Sequence, residues 1–160
     1  MIALDDLRTT IANLPDPEIP VLTLEDLGIL RGVELGGDGR VVITLTPTYS
    51  GCPAIDPIRE DVERTARERG VEDVDVRMQL APAWTTDWMT DAGRRKLRDY
   101  GIAPPQASNS RRALFGEQSV ACPQCRSEDT ELLSEFGSTS CKALWRCKSC
   151  REPFVYFKCH

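Results

Sequence analysis

The chain has 160 residues, of which 41% are hydrophobic and 28% charged, a composition typical of a globular protein. Its apolar runs are too short to span a bilayer, and Met1 is followed by an amphipathic pattern rather than a secretory leader, so we expect a cytoplasmic protein without membrane attachment. Residues 1–105 carry 12 Lys/Arg against 19 Asp/Glu, a net charge of −7, which argues against nucleic acid as a partner.

The positions of the histidine and the cysteines exclude some kinds of active site and indicate a metal site. The one histidine is His160, so a Ser/His/Asp or Cys/His pair within residues 1–105 of a single chain is excluded. Six of the seven cysteines fall within residues 122–159. In a reducing compartment such a cluster indicates metal binding rather than disulfides.

The chain begins with a predicted amphipathic helix that ends before Pro15. Prolines hold the following loop, residues 16–20, in an extended form, so we expect it to display the carboxylates of Asp16 and Glu18. The alternative interpretation is a plain helix stop with a solvated acidic tip.

Alternating apolar residues predict three strands, at residues 29–35, 41–45 and 74–80. In the first strand, Ile29, Val33 and Leu35 are predicted to share one face. A glycine-rich turn joins the first two strands, whereas a helix beginning near Ala54 joins the second strand to the third. A crossover of this length requires the second and third strands to be parallel. A last helix completes a small mixed α/β sheet domain, ordered α-β-β-α-β-α, over residues 1–103, and we predict the α+β class for the chain.

A polar loop, residues 46–53, connects the second strand to the crossover helix and contains Cys52. Pro53 is predicted at the first helical position, where its missing N–H costs nothing. Free backbone N–H groups and the positive end of the helix dipole would favour thiolate over thiol at Cys52. The alternative is a half-buried and inert cysteine, since free cysteines are commonly buried.

The end of the chain predicts a metal site. Cys122-Pro-Gln-Cys125 and Cys147-Lys-Ser-Cys150 are two Cys-x-x-Cys turns separated by 21 residues. Two such turns present four thiolates tetrahedrally, which suits a closed structural zinc site, although iron stays open as the alternative. Apolar segments around the turns predict a small β zinc ribbon over residues 120–160, and a domain of that size needs a metal to fold. Residues 104–119, rich in proline and polar residues, are predicted to be a linker.

Cys141 and Cys159 are surplus to a four-thiolate zinc site. One interpretation makes them a buried cysteine and a frayed terminal cysteine. The other lets them join Cys52 in transient binding of iron or an Fe–S cluster, because soft thiolates suit such species.

Several of these motifs resemble a known family. The Asp16-Pro-Glu18 loop, the loop of residues 46–53 and the alternating third strand resemble the small acidic domain of SufT-type and cytosolic iron–sulfur targeting factors. With the tail segments 136–147 and 152–159, the chain resembles the PaaD (PaaJ) family over essentially its whole length. That family comprises accessory subunits encoded with the multicomponent phenylacetyl-CoA 1,2-epoxidase of aerobic phenylacetate degradation.

The resemblance implies a non-catalytic maturation factor that delivers or inserts an Fe–S cluster into the ferredoxin-like reductase subunit of the epoxidase. It implies that Cys52 is the functional thiol, framed by Asp16, Glu18, Thr46 and Thr48. It also implies that the metal-binding turns are formed by Cys122, Cys125, Cys147 and Cys150, and that Cys141 and Cys159 match further cysteines of the family tail. A lone Cys52 cannot hold a cluster, so a homodimer partner, the tail cysteines or the client would supply the other ligands.

Two alternative functions stay open at this stage. The first is a thiol enzyme or redox protein that uses Cys52, although it lacks a histidine base and a second cysteine at Cys-x-x-Cys spacing. The second is a nucleic-acid-binding zinc ribbon protein, which the acidic charge of the first domain disfavours.

Overall fold

The structure, a computed structural model, describes residues 2–49, 51–105, 120–137 and 142–157. The chain divides into two compact units, Met1–Thr90 and Asp91–His160. All but the first two residues of the predicted linker lie outside the described residues. Within the described ranges, none of the helices combines the length and the apolar character needed to cross a membrane.

The first unit is a small three-stranded sheet with helices. Its elements are α1 (Leu4–Ala12), α2 (Leu24–Leu27), β1 (Leu30–Leu35), β2 (Val41–Leu45), α3 (Ile55–Glu68), β3 (Val74–Met78) and a 3₁₀ turn (Thr86–Trp88). The strand order is β1-β2-β3, with β1 and β2 antiparallel and β2 and β3 parallel. The predicted parallel crossover through α3 is therefore confirmed.

Helical periodicity explains how α1 and α3 bury their apolar faces. Leu7 and Ile11 of α1 and Ile58 and Val62 of α3 are almost fully buried. Burying a side chain of this size contributes roughly 1.5–3 kcal/mol to folding. The opposite face of α3 is charged and carries exposed ion pairs at helical spacing, which contribute little by comparison.

A capping box and a glycine define α2. The Thr23 hydroxyl accepts a hydrogen bond from the Asp26 N–H, while the Asp26 carboxylate accepts one from the Thr23 N–H. Gly28 ends the helix with a φ of 73°. A Cβ atom there would lie 2.6 Å from the carbonyl oxygen of Trp88, so both the backbone angle and the close approach require glycine.

Strand β1 does not alternate as predicted. Val33 and Leu35 pair with Ile43 and Val41 and share one face as predicted. Leu30, which pairs with Leu45, takes the place predicted for Ile29 on that face. The pairing of β1 with β2 shifts between Leu30 and Gly32. Such a bulge places one extra residue in the strand and moves the following side chains out of the simple alternation.

The second unit is a four-stranded sheet with one helix in its described part. It contains α4 (Asp91–Asp99), β4 (Ile102–Ala103), β5 (Thr130–Ser134), β6 (Lys142–Cys147) and β7 (Pro153–Phe157). The strand order is β4-β7-β6-β5, in which β4 is parallel to β7 and the other pairs are antiparallel. The predicted ribbon strands are present as β5, β6 and β7, so the α+β class with a β ribbon is confirmed.

The unit boundary differs from the predicted one at residue 103. Helix α4 and strand β4 group with the ribbon and not with the first unit. The physical reason is the burial of Ala103, which packs in one apolar cluster with Val120, Trp145 and Phe154 while β4 pairs with β7. The first unit therefore lacks the last helix of the predicted α-β-β-α-β-α order.

Candidate functional site

The loop of residues 46–53 lies where two parallel strands end side by side. The Gln79 N–H, just after β3, donates to the carbonyl of Leu45, the last residue of β2. The Thr46 N–H donates to the carbonyl of Ile29, which ties the start of the loop to the other side of the sheet. Loops at the carboxyl ends of parallel strands are where α/β domains commonly place their sites.

Cys52 is buried in this loop, with 8% of its surface exposed. Its sulfur accepts a hydrogen bond from the Thr48 hydroxyl at 3.9 Å, and its carbonyl accepts one from the Ile55 N–H. Helix α3 begins at Ile55, two residues later than predicted, so Pro53 precedes the helix. The Ile55 N–H is thus used by the backbone of Cys52, and Pro57 has no N–H, so the helix start offers the thiol fewer free donors than expected.

Thr46 is the unusual residue of the loop. It is 1% exposed, and its Oγ1 has no hydrogen-bond partner among the residues that the structure describes. A buried hydroxyl without a partner costs roughly 1–3 kcal/mol. A buried hydroxyl without a partner is uncommon in a native fold, and one explanation is that the Thr46 hydroxyl bonds to a ligand.

The Asp16 side chain points inward and is not displayed on the loop as predicted. Its carboxylate is buried and accepts hydrogen bonds from the N–H groups of Glu18 and Ile19, at 2.9 and 2.8 Å. The prediction that the loop displays both carboxylates, like the alternative of a solvated acidic tip, is therefore wrong for Asp16, whose carboxylate stabilises its own loop. Glu18 is half-buried. Thr48 contacts Cys52, whereas the framing roles of Asp16 and Glu18 stay predictions.

The four cysteines of the two Cys-x-x-Cys turns come together in the second unit. The sulfur atoms of Cys122, Cys125, Cys147 and Cys150 all lie within 4.8 Å of one another. Two pairs are 3.7 and 3.5 Å apart, namely Cys122–Cys150 and Cys125–Cys147. Four sulfurs at about 2.3 Å from a tetrahedral zinc would lie about 3.8 Å apart, so the cluster fits zinc, while a disulfide would need about 2.05 Å.

The two turns share a left-handed residue at their end but differ in the backbone N–H that approaches the first sulfur. The Gln124 N–H points to the sulfur of Cys122 at 3.4 Å, and the Cys150 N–H points to that of Cys147 at 3.5 Å. The residue after each turn, Arg126 or Arg151, has a positive φ of 63° or 66°. Sequence reasoning missed these two arginines, although their position directly after each turn, where the chain must reverse, was a usable signal.

The neighbouring N–H groups and thiols give Cys147 and Cys150 very different pKa values. The backbone N–H of Cys150, with help from the thiol of Cys125, lowers the pKa of Cys147 from 9.0 to about 6 despite its burial. The N–H of Glu152 acts to lower the pKa of Cys150, but burial and the three neighbouring thiols raise it to about 12. Without a metal, Cys150 therefore keeps its proton at neutral pH, and a dication such as Zn²⁺ would favour the loss of that proton.

Cys141, Cys159 and His160 lie outside the described residues. The predicted role of the two cysteines as further ligands therefore stays a prediction.

Comparison with known families divides the chain in two. Residues 4–81 match the model of a family described as "Iron-sulfur cluster assembly protein". Residues 106–158 match the "PaaD zinc beta ribbon domain". The first match contains the Cys52 loop, and the second contains both Cys-x-x-Cys turns, so the chain carries an iron–sulfur assembly domain and a zinc ribbon domain with a metal-binding cysteine cluster.

Relatives agree with this division. The chain is 54% identical, over 96% of its length and 92% of the relative's, to an Escherichia coli protein named as one of the subunits of 1,2-phenylacetyl-CoA epoxidase. It is 36% identical to an "Fe-S protein maturation auxiliary factor" of Porphyromonas gingivalis, over 58% of this chain and 89% of that one. A solved structure of a domain of unknown function (DUF59) from Bacillus anthracis, 25% identical, matches 59% of this chain and 90% of that one with a TM-score of 0.53.

Proposed function

This chain belongs to the PaaD family of 1,2-phenylacetyl-CoA epoxidase subunits, and on that basis we propose that it is a non-catalytic accessory factor that assists Fe–S cluster assembly or insertion into a client protein of that oxygenase. The proposed client is the Fe–S reductase component, and the proposed compartment is the cytoplasm. A general accessory role in Fe–S maturation follows from the names of its relatives. The client and the mechanism are our proposal.

The observation that carries the proposal is the buried Cys52–Thr48 contact in the domain that matches the assembly family. Cys52 is the single thiol among the first 121 residues, so any cluster that passes through this domain would bind there. The Thr48 hydroxyl donates a long hydrogen bond of 3.9 Å to the sulfur, and the Thr46 hydroxyl, which has no partner among the described residues, offers a further hydrogen bond in the same loop.

In this proposal the cluster is cargo, and Cys52 provides one thiolate ligand to it. Fe–S clusters are held by several thiolates, so the remaining ligands come from the client, from a second copy of the chain, or from Cys141 and Cys159. Burial of Cys52 limits access by water and oxidants, which favours a ligand that engages only when a partner opens the loop. The zinc of the ribbon has a separate, structural task.

The test is the Cys52→Ser variant in cells that produce the epoxidase components. We expect the variant to fold normally but to leave the reductase without its cluster, as measured by iron and sulfide content and by absorption of the purified reductase. Ala54→Ser is the matched control, because Ala54 is buried two residues further along the chain and gains the same hydroxyl without losing a thiol. Full cluster loading with Cys52→Ser would contradict the proposal.

The two alternative functions gain no support. Among the described contacts, the side-chain partner of the Cys52 sulfur is a hydroxyl group and not a base, and the one histidine of the chain is His160. A thiol enzyme predicts turnover by the isolated protein, and a nucleic-acid-binding ribbon predicts salt-dependent binding of DNA or RNA. We expect neither.

A further inference from the structure

The second unit contains a cavity that the proposed function does not use. It has a volume of about 360 Å³ and lies between the end of α4, the segment after β4 and the first Cys-x-x-Cys turn. This volume is in the range of small-molecule sites, roughly 300–1,000 Å³. The cavity is lined by two exposed arginines, by one of the four clustered cysteines, and by small or apolar side chains: Arg98, Arg126, Cys122, Pro104, Pro105, Val120, Ala121 and Pro123.

Arg98 and Arg126 are the two basic residues that line the cavity, and its described lining contains no Asp or Glu. Neither guanidinium has a hydrogen-bond or ion-pair partner in the part of the chain that the structure describes. The unit as a whole has the same sign, since residues 91–160 carry 12 Lys/Arg against 8 Asp/Glu, a net charge of +4.

Arg126 reaches the cavity from the position directly after the first Cys-x-x-Cys turn. Its φ of 63° is a left-handed conformation that glycine adopts without cost and that a side chain makes unfavourable. The turn imposes this conformation, so the φ itself is not evidence of binding; the position of the side chain at the cavity is. Arg151 has the same conformation after the second turn, with a φ of 66°, but it does not line the cavity.

We propose that this cavity binds a phosphate ester, with Arg98 and Arg126 holding the phosphate and the proline-lined wall holding its apolar body. Guanidinium groups bind phosphate through paired, charge-assisted hydrogen bonds. Two cations match the double negative charge of a phosphate better than the single charge of a carboxylate. This inference does not depend on the role proposed for Cys52.

The test is a calorimetric titration of the full, zinc-loaded chain with phenyl phosphate. We expect saturable binding that weakens about tenfold or more in Arg126→Gly and in Arg98→Gln. Arg151→Gly is the matched control, because it removes an arginine from the same left-handed position of the other turn, and we expect its affinity to match that of the unmodified chain. Zinc content is measured on every variant, and Arg98→Gln lies on α4, outside the cysteine turns.

Two further ligands show how much the phosphate group and the apolar ring each contribute to the affinity for phenyl phosphate. Inorganic phosphate is expected to bind more weakly, and equal affinity would support a phosphate site that takes free phosphate instead of an ester. Phenylacetate has the same ring with a carboxylate, and binding as tight as that of phenyl phosphate would overturn the assignment. Absence of saturable phenyl phosphate binding, or an equal loss in Arg151→Gly, would overturn the site itself.

Discussion

Asp16 and Thr46 are both buried polar residues of the first unit, but they differ in whether their side chains have hydrogen-bond partners. The Asp16 carboxylate is buried but receives two backbone N–H groups of its own loop, so its desolvation is offset. The Thr46 hydroxyl is buried as completely and has no partner within the described residues. The first residue thus stabilises the fold, whereas the second lowers stability at the place where Cys52 lies.

This contrast predicts the behaviour of Thr46→Val. Valine has nearly the same shape and removes the unpaired hydroxyl, so we expect the free energy of unfolding to rise by roughly 1–3 kcal/mol in denaturant titrations. Cluster loading of the client should fall in the same variant, because the hydroxyl is part of the proposed site.

Thr44→Val is the control for that experiment, because Thr44 is only half-buried and lies in the same strand region. It should change the unfolding free energy little. A loss of stability in Thr46→Val would show that the hydroxyl has a partner in the folded protein, and would remove the argument for an unfilled site.

At the scale of elements, sequence patterns correctly predicted the helices, strands and turns that depend on neighbouring residues. The helical periodicity of α1 and α3 and the alternation of β2 follow directly from which face each element buries. The spacing of the two Cys-x-x-Cys turns likewise predicted the four-sulfur cluster. The inward turn of Asp16 was missed, although its partners are only two and three residues away, because a carboxylate between prolines is equally compatible with exposure.

Strand β4 could not be predicted in this way. It has two residues, Ile102 and Ala103, in a stretch that resembles a linker in composition. It is a strand only because β7 offers a free edge some fifty residues later in the chain. Such a pairing depends on non-local contacts, which single-sequence patterns do not contain.

The cysteine cluster predicts how zinc affinity depends on pH. Between pH 7 and 8, Cys150 with its pKa of about 12 is protonated in the metal-free cluster, while Cys147 with its pKa of about 6 is largely ionised. Zinc must displace the proton of Cys150, so its apparent affinity should rise about tenfold or more per pH unit. Below pH 6, protonation of Cys147 adds to the loss.

Competition with a chromophoric chelator at several pH values measures this dependence. Cys125→Ser serves as the control for site occupancy, because loss of one of four thiolates should abolish stoichiometric zinc binding. An affinity that is constant between pH 6 and 8 would show that the thiols are already ionised without metal, which contradicts the argument.

At the scale of the whole molecule, the boundary at residue 90 separates two units of opposite charge. Residues 1–90 carry 8 Lys/Arg against 17 Asp/Glu, a net charge of −9, whereas residues 91–160 have a net charge of +4. The boundary predicted at residue 103 blurred this contrast, because it assigned the basic helix α4 to the acidic unit. The cationic cavity belongs to the unit whose overall charge favours anions.

The boundary makes a prediction for hydrogen exchange. Removing zinc from the full chain with a chelator should increase amide exchange in α4 and β4 together with β6 and β7, since all four belong to the unit that the metal stabilises. Amides of α1, α3 and β2 should keep their protection. If the amides of α4 keep their protection after zinc loss, the assignment of this helix to the second unit is wrong.

The contiguity of the first unit also has a consequence for biosynthesis. Residues 1–90 emerge from the ribosome before any of the six cysteines of the second unit emerges. Domains generally fold in this order during translation, so residues 1–90, which contain no other cysteine, can enclose Cys52 before the later thiols emerge. Neither a stray metal ion nor an oxidant can then link Cys52 to the wrong cysteine, and the later cysteines can bind their zinc without competition from it.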